Sequence, residues 1–342
     1  MKRESVVVVA PGRGTYNASE LGYLAEHHAG DNPVVHAVDE HRHRLDQIAV
    51  SELDGADQFR PALHGLGSNA SALIYAAALS DFAAIDRDRY DVVAVTGNSM
   101  GWYLALAAAG VTEMLGSGIT LVEQMATLMD NLGVGGQLLY PLVDEHWQPV
   151  AQRQAAVSDA LAQAGGELFV SIRLGGSIVL AGTSQALRAA ESQLPKVDDQ
   201  LPARLVRHSA FHTPLLKQVS ERALELLPSS LFASPVLPLI DGCGEIWQPG
   251  SDPEALREYT LCRQVLETYD FSRAVTVAVR EFAPDRVIVL GPGRAMGAPV
   301  LQTLLHCNWL GIGDRQSWQT RQASDPFVLA MGVKTQRALV TG

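Results

Sequence analysis

At 342 residues, 47 % hydrophobic and 18 % charged, the chain has the length and apolar content for one large α/β domain, or such a domain carrying a smaller insert. A formal net charge of −11 argues against the basic face that a nucleic-acid binder needs, and no apolar run reaches the roughly 18 residues of a membrane-spanning helix. The three cysteines, Cys243, Cys262 and Cys307, match neither a disulfide framework nor zinc-ligand spacing, so no metal is expected and a reducing cytoplasm is.

Residues 5–10 are β-branched and apolar, and read as a buried strand entering the tight loop Ala10-Pro11-Gly12-Arg13-Gly14. The apolar part of this start is too brief for a secretory signal. Helical patterns follow from Ser19 to about His28, over the more polar 39–48, and over the Ala/Leu-rich stretch from Asn69 to Ile85. Residues 91–96 form a second buried strand, followed at once by Gly97-Asn98-Ser99-Met100-Gly101 and a helix from Trp102 to Ala109. An amphipathic helix covers 116–131. Beyond Gly133 the order is strand 137–143, helix 147–164, hairpin 167–182, helix 183–194 and strand 203–208, the pattern of a ferredoxin-like unit. A helix over 215–226, a strand near 236–241, a helix over 271–282 and a strand over 286–290 lead to Gly291-Pro292-Gly293 and a helix ending near His306. The last thirty residues have weak periodicity and read as a surface-packed tail. The predicted architecture is an α/β-hydrolase-like large domain with a parallel sheet, residues 1–134 and 209–342, interrupted by a ferredoxin-like α+β insert over 135–208.

Gly97-x-Ser99-x-Gly101 between an apolar strand and an Ala-rich helix is the pattern of a nucleophile elbow, where a Cβ on either glycine would clash. A helix-capping serine would not require the flanking glycines. Ser99 is therefore the candidate nucleophile, and the Met100 N–H at the helix start a candidate oxyanion donor. A serine needs a base, and the chain offers ten histidines. His27, His28, His36, His41 and His43 read as a solvated face; the i,i+2 pair at 41 and 43 diverges on a helix. His208 and His212 lie on and just after the strand leaving the insert. The turn around His212 favours it, but the residues alone leave both open.

Four segments together resemble the malonyl-CoA:acyl-carrier-protein transacylase family. Residues 10–14 are similar to its opening Phe-Pro-Gly-Gln-Gly loop, and 97–101 to its Gly-His-Ser-x-Gly elbow. Ser209-Ala210-Phe211-His212-Thr213-Pro214-Leu215-Leu216 resembles its His-Ala-Phe-His-Ser-Pro-Leu-Met segment, and Gly291-Pro292-Gly293-Arg294 its late Gly-Pro-Gly-Lys turn. The resemblance spans roughly residues 5–310 in the family's order, with the insert between serine and histidine. It implies His212 as the base, backbone N–H groups of Met100 and Arg13 as the oxyanion hole, and the Gln264 backbone carbonyl as the group orienting His212. It further implies ping-pong transfer of a small acyl group from acyl-CoA, through acyl-Ser99, to the phosphopantetheine thiol of an acyl carrier protein, with no bound cofactor. The setting would be fatty-acid or polyketide biosynthesis.

The sequence departs from that pattern at the acyl site. The family's carboxylate-binding arginine aligns, through Leu121-Val122-Glu123, with Gln124; Asn98 stands for the histidine before the serine. Arginines appear instead at Arg13, for glutamine, and at Arg173, for asparagine. Three readings follow: Arg13 or Arg173 holds a malonyl-type carboxylate, the pocket takes an uncharged acyl group, or water is the acceptor and the protein hydrolyses acyl-carrier thioesters. Phe211 favours small, unbranched units in each. A scaffold subunit is disfavoured by the intact serine and histidine. A generic α/β-hydrolase esterase is disfavoured by the insert and the long chain after His212. Arg204, Arg207 and Lys217 are candidate contacts for an acidic carrier.

Overall fold

The computed structural model describes residues 2–198 and 200–341. Two strands, β1 (Glu4–Ala10) and β2 (Tyr90–Gly97), precede the insert, which contributes β3 (Gly136–Pro141), β4 (Leu168–Leu174), β5 (Ser177–Gly182) and β6 (Ala203–Leu205). After it come β7 (Leu239–Ile240), β8 (Ile246–Trp247), β9 (Tyr269–Asp270), β10 (Arg286–Val289) and β11 (Val328–Ala330). The larger sheet has the order β11-β10-β1-β2-β7-β8 and is parallel except at the β7–β8 hairpin. Val6 to Val9 are at most 1 % exposed, because helices cover both faces of a parallel sheet and leave its central strand no solvent side.

The insert follows the expected strand–helix–hairpin–helix–strand order. Its strands pair antiparallel as β6-β3-β5-β4, and Leu138, Tyr140, Val157, Leu180 and Leu187 form its own apolar core. One strand comes from outside it: β9 pairs parallel with β4, Tyr269 opposite Ile172 and Asp270 opposite Arg173. The small sheet is thereby tied to the large domain beside the residues that approach Ser99.

Three local expectations are corrected. The polar helix spans Pro33–Arg44 rather than 39–48; the Asn32 side chain accepts from the Val34 and Val35 N–H groups, and proline occupies the first turn, where its missing N–H costs nothing. Residues 253–266, for which no helix was expected, form Pro253–Glu258, a wider i→i+5 turn over Tyr259–Arg263, and Gln264–Leu266. The final thirty residues are not a surface tail. They supply β11 at the sheet edge, the fully buried Trp318 and the helix Lys334–Thr341.

That last helix carries Arg337, whose Nη1 donates to Asp81 Oδ1 at 2.6 Å. Asp81 also receives the Tyr23 hydroxyl (2.7 Å) and the Gly291 N–H (2.8 Å), and lies 2.7 Å from His28 Nε2. His28 is thus a member of a buried polar cluster rather than part of a solvated face. The Gly291-Pro292-Gly293 turn is held by this cluster and is a structural element of the large domain.

Candidate active site

Strand β2 ends at Gly97 and the helix Gly101–Ala108 starts four residues later, so the chain must reverse over Asn98-Ser99-Met100. Ser99 takes φ +55°, a left-handed conformation that costs a non-glycine residue about 1–3 kcal/mol. The reversal is close enough to forbid side chains at its ends. A Cβ on Gly97 would lie 2.2 Å from the Gly101 carbonyl oxygen, and one on Gly101 would lie 2.4 Å from that of Ala10. The opening loop packs on the elbow too, since a Cβ on Gly12 would meet the Asn98 carbonyl oxygen at 2.6 Å.

His212 faces the serine from a second tight turn. Its φ is +58°; the Phe211 N–H donates to the Ser209 carbonyl (2.7 Å) and the Thr213 hydroxyl to that of Ala210 (2.7 Å). Ser99 Oγ is 2.7 Å from His212 Nε2, and His212 Nδ1 is 2.6 Å from the Gln264 backbone oxygen. A carbonyl only accepts, so Nδ1 carries the ring proton and Nε2 turns a lone pair to the serine hydroxyl. Burial pushes the His212 pKa down to about 4, with the bond to Gln264 opposing. The imidazole is therefore neutral at pH 7, as a base must be.

Gln264 also acts through its side chain. Its Nε2 donates to the Ser99 carbonyl (3.2 Å) and its Oε1 accepts the Tyr103 hydroxyl (3.0 Å). One residue thus steadies both the elbow and the histidine, and the wide turn at Tyr259–Arg263 delivers it. Such turns recur at functional sites. Tyr269 on β9 adds a further brace: its hydroxyl donates to the Gly97 carbonyl (2.6 Å) and its ring lies 5.3 Å from that of His212. Among the described residues, neither the Met100 nor the Arg13 backbone N–H donates to a protein group. Both are thus free of a protein acceptor.

Two spaces meet at Ser99. The inner one is lined by Ser99, His212 and Phe211 and by a stripe of the helix Ser117–Leu132 comprising Val122, Met125, Ala126 and Met129. Gln124, expected at the acyl site, lines neither space. It sits about 100° around the helix from Met125, and the i, i+3, i+4, i+7 stripe turns it away. That apolar stripe is readable in the sequence and was the available signal for Met125.

Among the described residues, Arg13 is the one charged side chain lining the inner cavity. Its side chain is 11 % exposed, its guanidinium carbon lies 5.7 Å from the Phe211 ring centre, and its nearest carboxylate, Asp130, is 3.9 Å away. Its Nη2 is buried and, among the described residues, has no hydrogen-bond partner. Burial lowers the Arg13 pKa, with Asp130 opposing. Arg173, the other arginine expected there, lies elsewhere: half-exposed, it is 3.6 Å from Asp270 and shares a separate groove with Arg273 and Arg280.

The outer space is a larger cleft between insert and large domain, lined by Ser99, Asn98, Arg13, Phe211, His208 and Arg204 among others. The Asn98 carboxamide oxygen is buried there and, among the described residues, has no partner. His208 does not reach the serine; its Nδ1 is 2.8 Å from Gln137 Oε1.

The whole chain superposes on known acyltransferases. The malonyl-CoA:ACP transacylase of Synechocystis sp. PCC 6803 matches with a TM-score of 0.74 at 18 % identity, covering 98 % of this chain and 100 % of that one. The malonyl-CoA:acyl carrier protein transacylase of Xanthomonas oryzae pv. oryzae matches at 0.76 and 18 % identity, covering 99 % and 98 %. A malonyl-transacylase in complex with its type II PKS acyl-carrier protein matches at 0.69 and 19 % identity, covering 97 % of each chain. No protein-family model and no curated protein matches the sequence. At these identities the likeness establishes the fold: a large α/β domain with a small subdomain, as in malonyl-CoA:ACP transacylases.

Proposed function

We propose that this chain is a serine acyltransferase that moves a small acyl group from acyl-CoA to the thiol of an acyl carrier protein. The observation that carries the reading is the hydrogen-bonded line from Ser99 Oγ through His212 to the Gln264 carbonyl. In the first half-reaction His212 Nε2 takes the Ser99 proton as Oγ bonds to the thioester carbon. The N–H groups of Met100 and Arg13 stabilise the resulting oxyanion. Collapse breaks the C–S bond, and His212 returns the proton to the departing CoA sulfur. In the second half His212 takes the proton of the carrier thiol, the sulfur attacks the ester carbon, and the proton returns to Ser99 Oγ as the C–O bond breaks.

Arg13 supports a malonyl-type acyl group. A buried guanidinium with an unpartnered Nη2 in a largely apolar cavity is satisfied by a carboxylate of the substrate. With Arg173 in another groove, the carboxylate reading rests on Arg13 alone. The second reading, an uncharged acyl group, draws on the wall of Val122, Met125, Ala126 and Met129; hydrolysis to free acid is the same chemistry with water as acceptor.

Intact-mass analysis after incubation with malonyl- and acetyl-CoA tests this function. An acyl adduct that appears in the native protein, vanishes in Ser99→Ala and clears when a carrier thiol is added is the expected result. A mass unchanged by every acyl-CoA would refute it, and release of free acid without carrier acylation would replace transferase by hydrolase.

A further inference from the structure

His208 is held in a single hydrogen-bonding state by a chain that ends on a backbone carbonyl. The Phe211 carbonyl only accepts, so the Ser171 hydroxyl donates to it (2.7 Å). The Ser171 oxygen in turn accepts from Gln137 Nε2 (2.7 Å), which directs Gln137 Oε1 toward His208 Nδ1 at 2.8 Å. That oxygen accepts as well, so Nδ1 is the N–H of the His208 ring and Nε2 keeps a bare lone pair. Ser171 and Gln137 are at most 1 % exposed, so water cannot reverse the chain.

Among the described residues nothing donates to His208 Nε2, and the ring lines the cleft that reaches Ser99. Burial, reinforced by the nearby Arg13 charge, lowers the His208 pKa to about 3. The ring is thus an acceptor and neither a cation nor an effective base at neutral pH. Arg13 also repels a cationic donor from this wall. The occupant must therefore be a neutral hydrogen-bond donor. The surrounding cleft is largely apolar, with Leu139, Ile172, Leu174, Val179 and Met296 among its walls. A passage of that kind, with the His208 acceptor on its insert side and the Asn98 oxygen beside Ser99, suits a slender neutral chain bearing an N–H.

We infer that His208 Nε2 accepts a hydrogen bond from an amide N–H in the thiol-bearing arm of the acyl donor or carrier. His208 then reads the arm that delivers the acyl group, while the inner cavity reads the acyl group itself. This inference rests on the acyl-Ser99 reading above.

The test compares two thioesters of the same acyl group, acetyl or malonyl, whichever Ser99 takes faster. One is built on N-acetylcysteamine; in the other an ester oxygen replaces the amide N–H. The rate of Ser99 acylation is followed by intact mass. Native protein is expected to favour the amide by about three- to tenfold in kcat/KM, the range of one neutral hydrogen bond. His208→Leu is expected to bring that ratio close to one. Equal use of both thioesters by native protein, or an undiminished preference in His208→Leu, overturns the inference while leaving acyl-Ser99 intact. The native comparison needs no variant, so a poorly folding His208→Leu does not blunt it. Failure of every thioester to acylate Ser99 overturns the acyl-serine reading itself, and this inference with it.

Discussion

Replacing Arg13 by methionine separates recognition of the acyl group from the rest of the site. The backbone N–H proposed for the oxyanion hole is retained in Arg13→Met, so only the guanidinium is lost. A hydrogen bond to a charged group contributes about 1.5–3 kcal/mol, and at 11 % exposure solvent screens this one little. Malonyl-CoA should therefore acylate Ser99 roughly 10- to 150-fold less efficiently in kcat/KM, while acetyl-CoA changes by no more than about threefold. Stability should hold or rise. Nη2 already lacks a hydrogen-bond partner, and Asp130, 3.9 Å away and about one-third exposed, is left accessible to water rather than stranded. The assay is competition between malonyl- and acetyl-CoA read by intact mass, with thermal unfolding in parallel. Two results would refute the reasoning: a common fall for both substrates, which would make Arg13 a structural part of the elbow, or a malonyl rate that does not change.

Gly101→Ala should disable the elbow, because the new Cβ would meet the backbone oxygens of Ala10 and Pro11 at 2.4 and 2.8 Å, and backbone cannot swing aside. A loss of about 1–3 kcal/mol and at least a hundredfold slower acylation are expected; a stable, fully active variant would contradict the packing account. The low His212 pKa predicts that acylation holds from neutral pH to about 5 and falls through about 4; a limb near 6.5 would mean the ring is not desolvated. The same shift affects stability. As pH falls below the ordinary value of 6.5 the unfolded chain binds the proton and the native ring does not, so up to about 3 kcal/mol is lost between 6.5 and about 4. The urea midpoint of native protein should fall more steeply over that window than that of His212→Gln, and parallel slopes would argue against it.

The sequence alone determined the elements whose geometry is local. A strand, two glycines around a serine and an Ala-rich helix can close only as a sharp turn, and the periods of 2 and 3.6 in residues 137–208 were enough to order the insert. The position of Ser99 and the turn bearing His212 follow from such short-range rules. Tertiary structure decided what depends on facing surfaces. Gln124 and Met125 are neighbours in the chain; the apolar stripe in the sequence marks Met125 as inward-facing, but packing of the helix Ser117–Leu132 decides that this face lines the cavity at Ser99. The resemblance implies a role for Gln264, but the wide turn at Tyr259–Arg263 is what brings its carbonyl to His212. The closing residues looked like a tail because β11 is three residues long and Arg337 is polar. Pairing with β10 and the buried carboxylate of Asp81 make them part of the large domain. The missing partner of Arg13 and the bare lone pair of His208 are likewise properties of an assembled site, since they depend on every donor and acceptor around them and on none of the residues beside them in the chain.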